Sequence, residues 1–157
     1  MYDDAALGIF AAFAGVIAVF GLIGIVNYVL MSLGLMKMAQ NAEIENPWLA
    51  WVPVGNLWIM GKLIKTIELG SNKWEQAELI LVIAAAGSIL LGAIPVVGSI
   101  VSIALTVLMI LVMYKIYKMY ASENAMLYLI LSIVFAIIAP GILFFKIKDN
   151  TPVEIIN

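Results

Sequence analysis

Hydrophobic residues run along this chain in long blocks that are separated by short clusters of charge. The first block, Ala5–Met36, has 32 residues without a charge, and as a helix it would rise about 48 Å. A second charge-free block covers 36 residues from Leu79 to Tyr114. Because a helix needs about 20 apolar residues to cross a bilayer, both blocks predict membrane-spanning helices.

The second block is too long for one span, and the residues around Gly92 and Pro95 predict a break in it. Asn72 followed by Glu75 has the spacing of a helix cap and predicts the start of the span before this break. The spans are therefore expected at about 5–36, 75–94, 97–119 and 125–145. The predicted fold class is an all-α integral membrane protein with four transmembrane helices in a single domain, 1–157.

The segment 46–65 is apolar, but Pro53, Gly55 and Asn56 interrupt it, and it is short for a membrane-spanning helix. Only Pro47–Gly61 lacks charge, and its 15 residues would rise about 22 Å against roughly 30 Å of hydrocarbon. A break is expected near Pro53, with a helix resuming up to Leu69. We predict a re-entrant or interfacial segment whose break, Pro53–Asn56, is buried, since irregular backbone at membrane depth needs protein around it. Five spans are the alternative.

The lysines predict an orientation in the membrane. With four spans, six lysines fall in the loops 37–74 and 115–124, and two fall in the C-terminal tail. Because cytoplasmic loops are enriched in Lys and Arg, both loops are predicted to be cytoplasmic and both termini to lie outside. Five spans would divide the lysines five against three, so charge and length both favour the re-entrant segment. The expected location is a bacterial cell membrane, crossed several times.

Composition supports the membrane class and restricts the chemistry. Of the residues, 65% are hydrophobic and 11% are charged, against about a quarter charged in soluble domains. The chain has no Cys and no His, so zinc sites made of these residues and catalytic triads that use them are excluded. The net charge of −2, without basic runs, gives no basis for nucleic-acid binding. We therefore predict no enzymatic activity, no cofactor and no metal.

Small and polar residues inside the apolar blocks are candidates for helix packing or for lining a pore. Small and hydroxyl residues at helical spacing mark helix contacts in lipid, and two such stripes flank the predicted break. Asn27 is the one strongly polar residue of the first block, and we expect it to form an interhelical hydrogen bond. The candidates are Asn27, Pro53, Gly55, Asn56, Ser88, Gly92, Pro95, Ser99, Ser102 and Thr106.

Aromatic and basic residues near the ends of the blocks are predicted to be interfacial anchors. Trp and Tyr rings favour the headgroup region, and Lys side chains reach out of the apolar core towards it. The predicted anchors are Trp48, Trp51, Trp58, Trp74, Tyr114, Tyr117, Lys115 and Lys118. Membrane lipids are accordingly expected as partners, together with a second copy of the chain or another membrane protein.

Two proline motifs carry a family resemblance. They are Trp48-Leu-Ala-Trp-Val-Pro-Val-Gly-Asn-Leu-Trp58 and Ile94-Pro-Val-Val-Gly98, and Leu33-Gly-Leu-Met-Lys37 precedes them. Over residues 30–148 this pattern resembles an uncharacterised family of small bacterial multi-spanning membrane proteins with repeated Ile-Pro-Ile-x-Asn-like motifs. The second Asn of that pattern is replaced here by Gly98 or Ser99. The resemblance implies a similar architecture and carries no activity.

Several functions stay open at the level of sequence. The favoured one is a non-enzymatic membrane protein that acts through helix packing, as a homo-oligomer or as an accessory subunit of a membrane complex. An oligomeric channel or small-solute transporter would use the polar candidates as its lining. An immunity protein against a membrane-active peptide would have a similar size and number of spans. Enzymatic work on lipid headgroups has less support, because the interfacial charges are better explained as anchors.

Overall fold

Six α-helices and one β-hairpin make up most of the computed structural model, which describes residues 4–153. The helices are α1 (Asp4–Asn41), α2 (Pro53–Ile64), α3 (Ala77–Leu91), α4 (Pro95–Tyr120), α5 (Ala125–Val134) and α6 (Ala139–Ile147). Strands β1 (Thr66–Leu69) and β2 (Asn72–Glu75) pair antiparallel. Short 3-10 turns, Pro47–Trp51 and Ser122–Asn124, precede α2 and α5. The predicted positions of the two chain ends depend on residues 1–3 and 154–157, which lie outside the described range.

Two helices, α1 and α4, are long and apolar enough to cross a membrane. Their 38 and 26 residues rise about 57 and 39 Å, more than the roughly 30 Å of a hydrocarbon core. Helix α3 has 15 residues and rises only about 22 Å. The helical class is thus confirmed, whereas the structure supports two spanning helices by length rather than four.

The predicted last span, 125–145, is wrong as a single helix. The chain forms α5 and α6, of ten and nine residues, with a turn at 135–138 between them. The two helices run antiparallel, because Lys146 near the end of α6 lies 5.4 Å from the ring of Tyr128 near the start of α5. Pro140 stands in the first turn of α6, where its missing N–H costs no helical bond. Pro140 therefore lies at the start of α6, the helix that runs back alongside α5.

Residues 66–75 form a β-hairpin where helix was predicted up to Leu69. Gly70, at φ +63°, begins a two-residue turn, a position that favours glycine. The capping role predicted for Asn72 is wrong, because Asn72 pairs with Leu69 across the hairpin and α3 begins only at Ala77. Ile67 is buried between half-exposed neighbours, the two-residue alternation of a strand.

The hydrophobic core lies at one end of the molecule. It combines the last turns of α1 and α4, the first turns of α3, and helices α2, α5 and α6. In contrast, every residue from 6 to 22 of α1 is exposed. Fully buried core members include Leu35, Met38, Ile59, Met60, Leu81, Ile116, Tyr117, Phe144 and Ile147. Helices α1 and α4 therefore start far from the core and end inside it.

The same end of the molecule gathers the lysines. Side-chain amides join the helix ends there: Asn41 Nδ2 donates to the Lys148 carbonyl at 3.2 Å, and Asn150 Nδ2 donates to the Tyr120 carbonyl at 2.7 Å. We call this the lysine end, and we call the opposite end, where α1 begins and α3 turns into α4, the apolar end. The eight lysines of the chain belong to segments that meet at the lysine end: Lys37, Lys62, Lys65, Lys73, Lys115, Lys118, Lys146 and Lys148.

Candidate functional site

Asn27 of α1 caps the start of α6. Its Oδ1 accepts a hydrogen bond from the backbone N–H of Gly141 at 2.6 Å. Gly141 is the third residue of α6, and N–H groups in a first turn have no partner within their own helix. A Cβ on Gly141 would overlap backbone and side-chain oxygens of Asn27. The structure therefore places Asn27 in an interhelical bond that depends on glycine opposite it.

The contact between α1 and α6 continues at Gly34. A Cβ added there would lie 2.7 Å from the carbonyl carbon and oxygen of Phe144, so the two backbones touch. Close approach through glycine is a common way of packing helices in lipid. Gly34 and Gly141 were missing from the predicted packing residues. The sequence does contain a partial signal for Gly34, because it follows Asn27 by seven residues and therefore lies on the same face of α1.

The segment 46–65 folds back along α1 and then returns to the lysine end. The Tyr28 hydroxyl donates to the Trp51 carbonyl at 2.7 Å, and the Trp51 indole N–H donates to the Met36 sulfur at 3.4 Å. Tyr28 lies 13 residues before the end of α1, about 20 Å along the helix. Helix α2 then leads back, and Gly61 packs against the backbone of Glu78. The segment thus enters and leaves at one end of the molecule.

The predicted break at Pro53–Asn56 is partly buried. Gly55 and Asn56 are buried, whereas Pro53 is exposed. Pro53 begins α2, and proline is favoured in a first turn because its fixed φ suits a helix there. A Cβ on Gly55 would meet the Leu49 carbonyl oxygen, which allows the chain to reverse tightly between the 3-10 turn and α2.

Hydroxyl groups of the two stripes around the α3–α4 turn bond within their own helices. Ser88, Ser99 and Thr106 each donate to a carbonyl of their own helix, at 2.7, 2.8 and 2.8 Å. Such bonds are common for Ser and Thr in membrane helices and satisfy the hydroxyl locally. Of the ten candidates for packing or pore lining, the exposed ones are Pro53, Gly92, Pro95, Ser99, Ser102 and Thr106. The close contact in this hairpin instead involves Gly98, where a Cβ would lie 2.7 Å from the Gly92 carbonyl oxygen.

Seven of the eight predicted anchors lie at least partly on the surface of the protein. Trp48, Trp51, Trp74 and Lys118 are exposed, and Trp58, Tyr114 and Lys115 are half-buried. Tyr117 is instead a core residue, which corrects its predicted role. Its hydroxyl bonds to Ser132 Oγ at 2.7 Å, and its ring packs 5.8 Å from Tyr128 and 5.6 Å from Phe144. Tyr117 therefore joins α4 to both helices of the α5–α6 hairpin.

Lys115 fastens the β-hairpin to α4. Its Nζ donates to the carbonyl and the hydroxyl oxygen of Thr66, at 2.9 and 2.8 Å, and lies 3.4 Å from Glu68 Oε1. A second ion pair joins α2 to α3, with Lys62 Nζ 2.9 Å from Glu78 Oε1. Between β1 and α4 a cavity of about 210 Å³ has Lys115 at its wall. At the lysine end, these contacts join the β-hairpin to α4 and helix α2 to helix α3.

Comparisons with known proteins provide no relative. The chain matches no protein-family model, no curated protein and no solved structure. The family resemblance carried by the proline motifs therefore stays a prediction. Within residues 4–153, no three Asp or Glu side chains gather as a metal site.

Proposed function

We propose that this protein is a non-enzymatic protein of the bacterial cell membrane that acts by packing its helices against a second copy of itself. One observation carries the proposal: no other described residue covers the first half of α1. In the segment 6–22, Phe10 is 75% and Ile17 is 70% exposed, and a Cβ on Gly8 or Gly15 would meet open space. Lipid can cover the large side chains, and a second helix fits the glycines.

The small residues of this segment have the spacing of a helix–helix contact. They pair four residues apart, as Gly8 with Ala12, Ala11 with Gly15 and Ala14 with Ala18. In lipid, association of helices is driven by close packing rather than by burial from water, and small residues allow it. A two-fold contact places the same face of both helices together, so one stripe is sufficient. An accessory role on another protein would use the same surface.

The lysines support placing the molecule across the membrane. Suppose that α1 and α4 cross, that the shorter α3 and the exposed residues after it lead the chain to the apolar end, and that 46–65 and α5–α6 re-enter. The eight lysines then all lie on one side, against six and two for four spans. That bias favours a cytoplasmic lysine end. Pro95 lies 20 residues before Lys115 on α4, about 30 Å, which matches the hydrocarbon core. The described chain after α6, up to Val153, is then cytoplasmic, and the start of α1 lies outside.

Single cysteines test this placement, because the chain has none of its own. We expect Ala93→Cys, in the α3–α4 turn, to react with a membrane-impermeant maleimide in intact cells. Ser71→Cys, in the β-hairpin turn, and Thr151→Cys should react only after the cells are opened. Labelling of Thr151→Cys in intact cells would instead support four spans and would overturn the proposed placement.

The mass of the complex in native lipid tests the packing proposal. We expect a dimer or a larger oligomer that Gly15→Leu disrupts, because the added side chain would separate the two helices. Gly24→Leu is the matched control: it makes the same change on the opposite face of α1, where a Cβ also meets open space. A monomer in native lipid would contradict self-packing, and a complex with a different protein would favour the accessory role.

The two other functions have less support from the geometry. A channel needs its polar groups directed into a lumen, whereas the hydroxyls of Ser99 and Thr106 bond to their own helix. Ion or solute flux in liposomes that depends on Ser102 and Asn56 would favour the channel. An immunity role predicts that a deletion strain becomes sensitive to a membrane-active peptide, and unchanged sensitivity would remove it.

A further inference from the structure

The packed part of the molecule is concentrated in one leaflet when it is placed as proposed above. At the lysine end the core draws on all six helices, whereas within residues 4–153 only α1 and the α3–α4 hairpin reach the apolar end. Residues 6–22 of α1 and residues 89–97 around the α3–α4 turn are exposed throughout. The protein is therefore broad at one end and narrow at the other.

Helix lengths explain why the extra elements stay in one leaflet. Helices α2, α5 and α6 contain 12, 10 and 9 residues. They rise about 18, 15 and 14 Å, close to half of the roughly 30 Å hydrocarbon core. Helix α5 leaves the lysine end, and α2 and α6 lead back to it. A helix about 10 Å wide occupies roughly 80 Å², so three of them add roughly 240 Å² to that leaflet alone.

The surface of the α5–α6 hairpin suits lipid rather than water. The last residue of α5, Val134, is 65% exposed, and Phe135 and Ile137 of the turn are 55% and 49% exposed. Continuous apolar patches of this kind favour a membrane or a partner. Within the turn, the Phe135 N–H donates to the Leu131 carbonyl, and the Ile138 and Ala139 N–H groups donate to the Phe135 carbonyl. These bonds lower the cost of placing the apolar tip in hydrocarbon.

We infer that this protein is a membrane-curvature element, a wedge that favours bilayers whose lysine-side leaflet is convex. A body that occupies more area in one leaflet is accommodated best where that leaflet is stretched. This inference rests on the proposed membrane placement and does not require self-association. The wedge acts on the lipid bilayer itself. The sign of the preferred curvature follows from the end of the molecule at which α2, α5 and α6 lie.

Membrane tubes pulled from giant vesicles test the inference. The full chain carries a fluorophore on Ser71→Cys and is reconstituted in phosphatidylcholine with phosphatidylglycerol. An impermeant quencher distinguishes molecules whose lysine end faces outward. We expect these molecules to be enriched several-fold on outward-pulled tubes relative to the flat membrane, and molecules of the opposite orientation to be depleted. Equal density on tube and vesicle for both orientations, or the reverse order, would overturn the wedge.

A pair of variants assigns the effect to the hairpin. Phe135→Ser with Ile137→Ser makes the tip polar and should remove most of the enrichment. Ile100→Ser with Ile103→Ser makes the same change on the exposed face of α4, a helix that spans both leaflets, and should leave the enrichment intact. Equal losses in both variants would contradict the assignment. The comparison of two orientations in the wild type does not depend on how the variants fold.

The outcomes separate this inference from the proposed function. A monomeric protein that is still sorted by curvature would refute self-packing and keep the wedge. An oligomer that shows no curvature preference would support self-packing and refute the wedge. Cysteine labelling that puts Ser71 and Thr151 on opposite sides would remove the placement on which the wedge depends.

Discussion

The Oδ1 atom of Asn27 accepts a hydrogen bond from the Gly141 N–H at 2.6 Å, and this bond joins the middle of α1 to the first turn of α6. It satisfies the backbone N–H of Gly141, which follows Pro140 in the first turn of α6 and has no acceptor within that helix. If the hairpin enters the membrane, this donor would otherwise stand in hydrocarbon. The bond therefore explains how a helix can begin there.

Replacing Asn27 by Leu should destabilise the protein by about 1–3 kcal/mol, because the Gly141 N–H loses its acceptor. The melting temperature in native lipid measures the effect. Asn124→Leu, at an exposed position before α5, is the control and should change the melting temperature little. Equal melting temperatures for wild type and Asn27→Leu would mean that the bond does not support the fold.

Gly34→Ala should destabilise the protein by about 1–3 kcal/mol, since overpacked contacts force backbones apart. Its Cβ would lie 2.7 Å from the Phe144 carbonyl, whereas a Cβ on Gly21 meets open space. Gly21→Ala is the matched control and should be neutral or stabilising, because Ala favours helix over Gly by up to about 1 kcal/mol. The two variants are compared by thermal unfolding. An equally stable Gly34→Ala protein would argue against the close α1–α6 contact.

Tyr117→Phe should cost about 1–3 kcal/mol, because the buried Ser132 hydroxyl is left without its partner. Ser132 and Tyr117 are both buried and lie 2.7 Å apart. The double variant Tyr117→Phe with Ser132→Ala should recover part of the loss, since it removes both polar groups. Tyr114→Phe, on the same helix, is the control. Additive losses in the double variant would show that the two hydroxyls do not interact.

Lys115→Met should loosen the β-hairpin without unfolding the helices. The variant loses the ammonium group that holds Thr66 and Glu68. Hydrogen exchange of residues 66–75 should become several-fold faster, while exchange in α1 and α6 stays the same. Lys118→Met, which leaves these bonds in place, serves as the comparison. Unchanged exchange in the hairpin would mean that its own strand pairing is sufficient.

Local patterns in the sequence account for the class of the fold and for several element ends. The charge-free blocks predicted α1 and α4 as long apolar helices, and Pro95 marks the first residue of α4. Pro53 likewise marks the first residue of α2, although it was expected to break a helix. These features depend on hydrophobicity and on the missing proline N–H, which act within a few residues.

The tertiary structure decided the direction of the chain. Residues 125–145 are equally apolar whether they cross or turn back, so composition could not distinguish a span from the α5–α6 hairpin. Asn27 of α1 holds the hairpin from more than a hundred residues away in sequence. Tyr117 holds it from α4, the helix that precedes the hairpin. The β-hairpin depends in the same way on Lys115. The sequence by itself determined that the chain forms long apolar helices, two of which are long enough to cross a membrane. Long-range hydrogen bonds and glycine contacts decided where the chain turns back, because the pattern of residues along a helix reflects only that helix's own surroundings.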